Sequence, residues 1–452
     1  MARLAPTTKT TTPTLGLLLL AAALALAPPP RVALAEGAAA APVAIVGGDV
    51  QTVTQGLIRK GTVLMKDGKI EKVGLGIEVP KDYTVVDATG KYVMPGFVVA
   101  SARGIGSAAG GGGGFGGGGG GGRGGLRSRL SDGFDPFAFS VSLALASGIT
   151  TAFLHPGPGG SGIFEDQVGG NSAGITGAAT VMKPTEGDLA SMKLLEPAAV
   201  ILDYAASSPS GKYEVRDRLK QAKEYAEKRA EYEKDKLAGK DVKEPAKDEE
   251  KEILAKLVRG EIPARITATS VENILGAVEL AREFGLRVVL EAATEAWIVA
   301  DELGKAGVSC VITPRRKAQR DKSKSGPSGS SEELAAILHR AGVTLAVVPP
   351  TNSVATGGIA GRDLVTFPIE AAFAMRGGLD EAAAIESITI AAARILGVAD
   401  RVGSLEAGKD ADVLVLDGNP LDYKTFVEKT FINGKLYYDK DKSSFFSHLK
   451  RQ

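Results

Sequence analysis

Apolar positions along this chain change character twice. From Val43 to Val93 they form short β-type segments separated by turn residues. Thr62-Val63-Leu64-Met65 runs into Lys66-Asp67-Gly68-Lys69, where the Asp-Gly pair marks a tight hairpin because such a turn needs positive φ at both central residues. Ile70 and Val73 continue the far side, and Val85-Val86-Asp87 precedes a second turn at Thr89-Gly90. The chain closes in the same manner: Ala411–Leu416 reads as a strand and Thr430–Tyr438 as a hairpin around Asn433-Gly434.

Between these β-rich ends, apolar runs alternate with helical patterns. Strands are predicted at Thr150–Leu154, Ala198–Leu202, Ala264–Thr267, Leu286–Leu290, Ser309–Ile312 and Val343–Val348. Helices at Val271–Phe284 and Trp297–Ala306 separate successive strands, and a short one covers Leu334–Leu338. This alternation predicts a parallel sheet, and the length favours a closed (β/α) barrel.

Two insertions interrupt the alternation. Gly110–Gly125 is almost pure glycine with Phe115 and Arg123; it offers no apolar surface to bury and predicts a flexible loop. No Lys-Ser/Thr pair opening a helix follows it, as a phosphate-cradling loop requires. Glu214–Lys256 is dense in Lys, Glu and Ala. Opposite charges four apart, such as Glu224 and Lys228, favour solvated helices, and Pro245 divides the segment in two. A solvated helical hairpin is the default expectation, with a partner-binding arm as the alternative.

The N-terminus has the form of a secretory signal. Arg3 and Lys9 precede the apolar run Leu15–Ala27, and Ala33-Leu34-Ala35 offers small residues for cleavage before Glu36. The run is shorter than the roughly 20 residues a membrane span needs, and Pro28-Pro29-Pro30 ends it. The expectation is an exported protein, periplasmic or extracellular, with no membrane span once the signal is removed.

Composition narrows the function. A net charge of +1 gives no basic field for nucleic acid, and 5% aromatics gives no platform for stacking bases. Cys310 is the only cysteine, so no internal disulfide forms; its apolar strand predicts a buried thiol.

Several segments together resemble the amidohydrolase family, in particular its imidazolonepropionase-like members. They are Lys66-Asp67-Gly68-Lys69-Ile70 with Asp87-Ala88-Thr89-Gly90-Lys91 and Met94-Pro95-Gly96-Phe97, then Gly148-Ile149-Thr150-Thr151, Asn273-Ile274 through Leu286, Ala391–Gly397, and Val402 through Asp412 with its Gly408-Lys409-Asp410-Ala411-Asp412 close. The resemblance implies an α/β fold, a TIM-like (β/α)8 barrel flanked by a small β-sandwich built from both chain ends. The expected layout is a signal peptide over 1–35, a β-sandwich from 36–95 plus 402–440, and a barrel over 96–401 carrying the Gly-rich loop (104–125) and the charged insertion (214–256).

The resemblance also implies zinc or another divalent metal at the mouth of the barrel, where it lowers the pKa of a bound water. Its ligands come from several strand ends. Carried over by register, the His-x-His pair of the first strand falls on Ser101 and Arg103, and the lysine of the fourth strand on Ile201 or Leu202. The histidines of the fifth and sixth strands fall on Thr267 and Ala292, and Val348–Asn352 holds no carboxylate for the eighth. Counting agrees, because the chain has 3 histidines: His448 in a polar tail, His339 after a helix, and His155 at a strand end. No metal or other cofactor is expected. The candidate pocket is Ser101, Arg103, His155, Lys183, Asp203, Thr267, Thr269 and Ala292, with Arg315-Arg316 read either as mouth residues or as a solvated basic loop. Lys183 enters as a candidate buried nucleophile or base.

Three functional readings follow. The first is a non-catalytic family member whose mouth binds a small molecule or another exported protein. The second is a hydrolase of non-peptide carbon–nitrogen bonds with a rearranged site, and the third is a structural envelope protein.

Overall fold

The computed structural model describes residues 41–106, 125–156, 174–204, 208–354, 361–444 and 446–449. The expected signal peptide and most of the Gly-rich loop lie outside the described residues.

Both chain ends build one eight-stranded sheet. Its first strands are β1 (Val43–Gln51), β2 (Leu57–Lys66), β3 (Lys69–Gly74), β4 (Thr84–Asp87) and β5 (Tyr92–Pro95). The β2–β3 hairpin turns at Asp67 and Gly68, both at positive φ (51° and 77°), as the Asp-Gly pair requires.

The chain then enters the barrel through β6 (Phe97–Ala102), α1 (Phe139–Ala146), β7 (Ile149–Leu154), β8 (Gly174–Met182), α2 (Leu189–Met192) and β9 (Lys193–Asp203). The charged arm, α3 (Pro209–Leu237) and α4 (Glu249–Val258), comes next. β10 (Ala264–Thr267), α5 (Val271–Phe284), β11 (Val288–Glu291), α6 (Ala300–Ala306), β12 (Ser309–Ile312), α7 (Leu334–Arg340) and β13 (Leu345–Val347) complete the barrel strands. After α8 (Pro368–Arg376), α9 (Glu381–Ser387) and α10 (Ile390–Leu396), the chain returns to the first sheet as β14 (Val413–Leu416), β15 (Val427–Ile432) and β16 (Lys435–Asp439). There β14 pairs with β5 and joins the two ends, around a shared core that includes Ile45, Val63, Val93, Val413 and Phe431.

The barrel sheet runs in the order β6 to β13, and its seam closes through a bridge between Arg103 and Ser353. The expected all-parallel sheet needs one correction. β8 runs antiparallel to both β7 and β9, so it descends from the mouth, where Gly174 pairs with Asp203, to the opposite end, where Met182 pairs with Lys193. Alternate residues face inward along each strand. Val98, Ala100, Phe153, Val289, Val311 and Ala346 fill the interior, and α10 adds Ala392, Ala393, Ile395 and Leu396 to the same cluster.

The arm differs from a fully solvated hairpin. α3 starts earlier than Glu214 and buries Val215, Leu219 and Ala222 in the main core. Its outer part joins α4 through Tyr225 Oη to Glu252 (2.6 Å), and Arg229 binds Glu244 in the connecting segment (3.2 Å). Among the described residues, no helix is long and apolar enough to cross a membrane.

Candidate functional site

Period-two alternation sets the site. Arg265 and Thr267 of β10, and Val289 and Glu291 of β11, point into the barrel; so does Phe153 of β7, with His155 following two residues on. Arg265 is 1% exposed and stacks its guanidinium over the Phe153 ring, 4.1 Å from the centroid. It binds Glu291 through Nε (2.8 Å) and Nη2 (2.7 Å) and donates to the Ala100 carbonyl. Above this pair sits the Ser101 hydroxyl, 3.0 Å from His155 Nε2 and 3.2 Å from Glu291 Oε2, accepting from Asn352 Nδ2 at 3.1 Å.

The hydrogen-bond roles follow from who can donate. His155 Nδ1 lies 3.3 Å from the Pro156 carbonyl, which only accepts, so Nδ1 carries the proton and Nε2 is an acceptor. The one Ser101 proton is then shared between His155 and Glu291. Burial lowers the His155 pKa to about 4, and the Arg103 and Arg265 charges outweigh part of what Glu291 restores. Burial alone would raise the Glu291 carboxyl; Arg265 first, then His155, more than offset it and hold the group below the usual carboxylate range.

A stability effect follows from His155. Its folded pKa lies below the unfolded value of 6.5, so the unfolded chain takes up the proton first as pH falls. The stability is fully present above about pH 6.5 and is lost toward about pH 4, a slope worth at most about 3 kcal/mol before partial exposure trims it. His155→Asn should flatten that slope in urea unfolding; a slope unchanged in the variant would assign it elsewhere.

These residues do not suit a divalent metal. Both His155 nitrogens are engaged, and Glu291 is neutralised by a guanidinium in direct contact. Among the described residues, no group of three or more His, Cys, Asp or Glu side chains converges. A cation does occupy the inside of this mouth, but it belongs to Arg265.

The other expected residues divide. Arg103 donates its backbone N–H to Asn352 (2.7 Å) at the barrel seam. Thr267 ends β10 half-buried, opposite Glu291 in register, while Thr269 contributes a backbone carbonyl that accepts from Glu295. Asp203 ends β9, and burial raises its carboxyl pKa. Ala292 is not the inward residue of the sixth strand. The chain turns there at φ 53°, and Glu291 faces the site instead.

Lys183 requires a larger correction. Because β8 runs downward, Lys183 leaves the barrel at the end away from the mouth. It is fully buried against the terminal sheet, 2.8 Å from Asp410, 2.9 Å from Asp412 and 2.6 Å from Asn433. Asp410 also binds Lys69 and Arg401; burial would raise its carboxyl, but Lys183 and these cations hold it at about 2. The lysine is a structural ion-pair centre, not a mouth base. Arg265, Glu291 and Asn352 were the residues that the register missed.

A model of the amidohydrolase family matches residues 139–437. The chain belongs to the amidohydrolase family. The fold is similar to the crystal structure of an amidohydrolase from Thermotoga maritima MSB8, with 28% identity and a TM-score of 0.69 over 88% of this chain and 100% of that one. Molinate hydrolase shares the fold at 19% identity, with a TM-score of 0.53 over 92% of this chain and 99% of the other. Amidohydrolase tasK of Hapsidospora irregularis is 38% identical over 71 residues, 16% of this chain; the match spans 7% of that protein's length. Within the family frame, this member keeps the TIM-like barrel and the sheet from both ends, and fills the mouth with an Arg–Glu–Ser–His–Asn network.

Proposed function

We propose that this chain is an exported amidohydrolase-family protein that has given up metal-dependent hydrolysis and uses its barrel mouth to bind a small molecule. The Arg265–Glu291 pair carries the reading, because it consumes the site's carboxylate and places a fixed positive charge where a metal ion would be repelled. Arg265 Nη1, Arg103 Nε and Asn352 Oδ1 support a ligand: among the described residues, all three are buried polar atoms without a partner. Each such atom costs roughly 1–3 kcal/mol unless something satisfies it, and a ligand with oxygen acceptors and one donor would do so.

One observation favours the rearranged-hydrolase reading: Ser101 Oγ and His155 Nε2 stand 3.0 Å apart, as a nucleophile and its base do. Two others oppose it. The carboxylate contacts Ser101 rather than orienting His155 Nδ1, and a base whose pKa is about 4 takes a serine proton poorly. Assays with small amides, cyclic ureas and dipeptides separate the readings. The binding reading expects thermal stabilisation by a ligand and no turnover beyond that of Ser101→Ala. Turnover abolished by Ser101→Ala would establish the hydrolase instead.

A further inference from the structure

We infer that a basic recess at the rim of the barrel, separate from the Ser101 network, takes a small organic polyanion bearing at least two carboxylate or phosphate groups. The recess encloses about 580 Å3 between the loop after β12 and the end of α8, within the roughly 300–1,000 Å3 typical of small-molecule sites. Arg315, Arg316, Lys317 and Arg376 line it, against one carboxylate, Glu332.

The charge is local. The chain's net charge is +1, yet residues 315–324 hold six Lys and Arg against Asp321 alone. Arg315 is fixed in place: its Nε is 2.5 Å from the fully buried Glu370, and its guanidinium lies over the Phe373 ring. That pairing commits Arg315 to Glu370, and Arg316 is engaged within the chain. Among the described residues, Lys317 and Arg376 form no ion pair; both are exposed and line the same recess.

A solvated loop would not hold such a concavity, but this loop is braced. Ala318 and Ser330 bond each other across it (2.9 and 3.1 Å). Gly329, at φ +84°, lets the two sides approach: a Cβ there would stand 2.7 Å from the Ala318 carbonyl. Glu295 and Trp297 bind the Gly329 backbone at 2.7 and 2.9 Å and tie the loop to the barrel. The Ser330 and Ser331 hydroxyls add neutral donors to the wall. The recess is formed by segments after barrel strands seven and eight, where this fold often gathers anion-binding groups. A polyanion fits because two exposed cations on one recess give a large gain only to a ligand that engages both.

Calorimetry on the full chain tests this, with citrate and pyrophosphate as separate probes and ionic strength held constant with KCl, so that screening does not pass for binding. Saturable one-to-one binding of at least one probe is expected, and the probe that binds tells carboxylate from phosphate. Lys317→Glu and Arg376→Glu should each weaken it at least about tenfold, since each reverses one of the two exposed charges. Lys72→Glu, on β3, should leave it unchanged. Absence of saturable binding for both probes, or affinity unchanged in both recess variants, overturns the assignment. Neither result bears on hydrolysis or the Ser101 network.

Discussion

Replacing Lys183 with methionine should destabilise the protein by about 3–5 kcal/mol, the cost of leaving a buried charge without its partner. The size follows from what remains. Asp410 keeps Lys69 and Arg401, but both of those partners are substantially exposed. Asp412 is 3% exposed and, among the described residues, keeps the Asn433 backbone N–H (3.0 Å). Burial already raises the Asp412 carboxyl pKa against the pull of Lys183, so its charge has little other support. Adding Asp412→Asn should recover part of the loss by removing the stranded charge. Guanidinium unfolding of the single and double variants reads both effects. A lysine acting as a base at the mouth would instead give near-normal stability in the methionine variant.

The second large effect is expected at Arg265. Arg265→Met should also cost about 3–5 kcal/mol, because Glu291 is left in the barrel with only His155 and Ser101 beside it. Methionine fills a similar volume over Phe153, so packing contributes little to the loss. Arg265→Met combined with Glu291→Leu should return most of the stability, since a buried pair replaced by apolar side chains is often near neutral. Thermal unfolding separates the cases: the single variant falls by roughly 3–6 °C and the double variant by much less. Equal losses in both would mean that the pair matters through shape rather than charge.

Local signals in the sequence were strong where one physical rule dominated. α5 begins after Ser270, whose hydroxyl caps Asn273 N–H, and ends at Gly285 in the left-handed region, so both boundaries were legible. The strands Ala264–Thr267 and Ser309–Ile312 fall where the apolar runs place them. β8 was not legible, because its Gly174-Ile175-Thr176-Gly177-Ala178 start lacks a clear alternation, and nothing local encodes strand direction. At the site, Ser101, Arg103 and His155 came from register and strand-end position. Glu291 was missed by one residue because the turn at Ala292 ends the alternation there. Arg265 was missed for a different reason: arginine is rarely buried, and its partner Glu291 is distant in sequence. Lys183 was misplaced as a consequence of β8, since strand direction decides which end of the barrel it reaches.

On the proposed function, Arg265 and its network stand where the family resemblance implies a metal. Elemental analysis of the purified protein, after dialysis in metal-free buffer and again after equilibration with zinc, iron or manganese, is the direct test. The Arg265–Glu291 pairing predicts far less than one bound metal per chain in both samples. Close to one retained metal per chain would contradict it and return the mouth to hydrolytic chemistry.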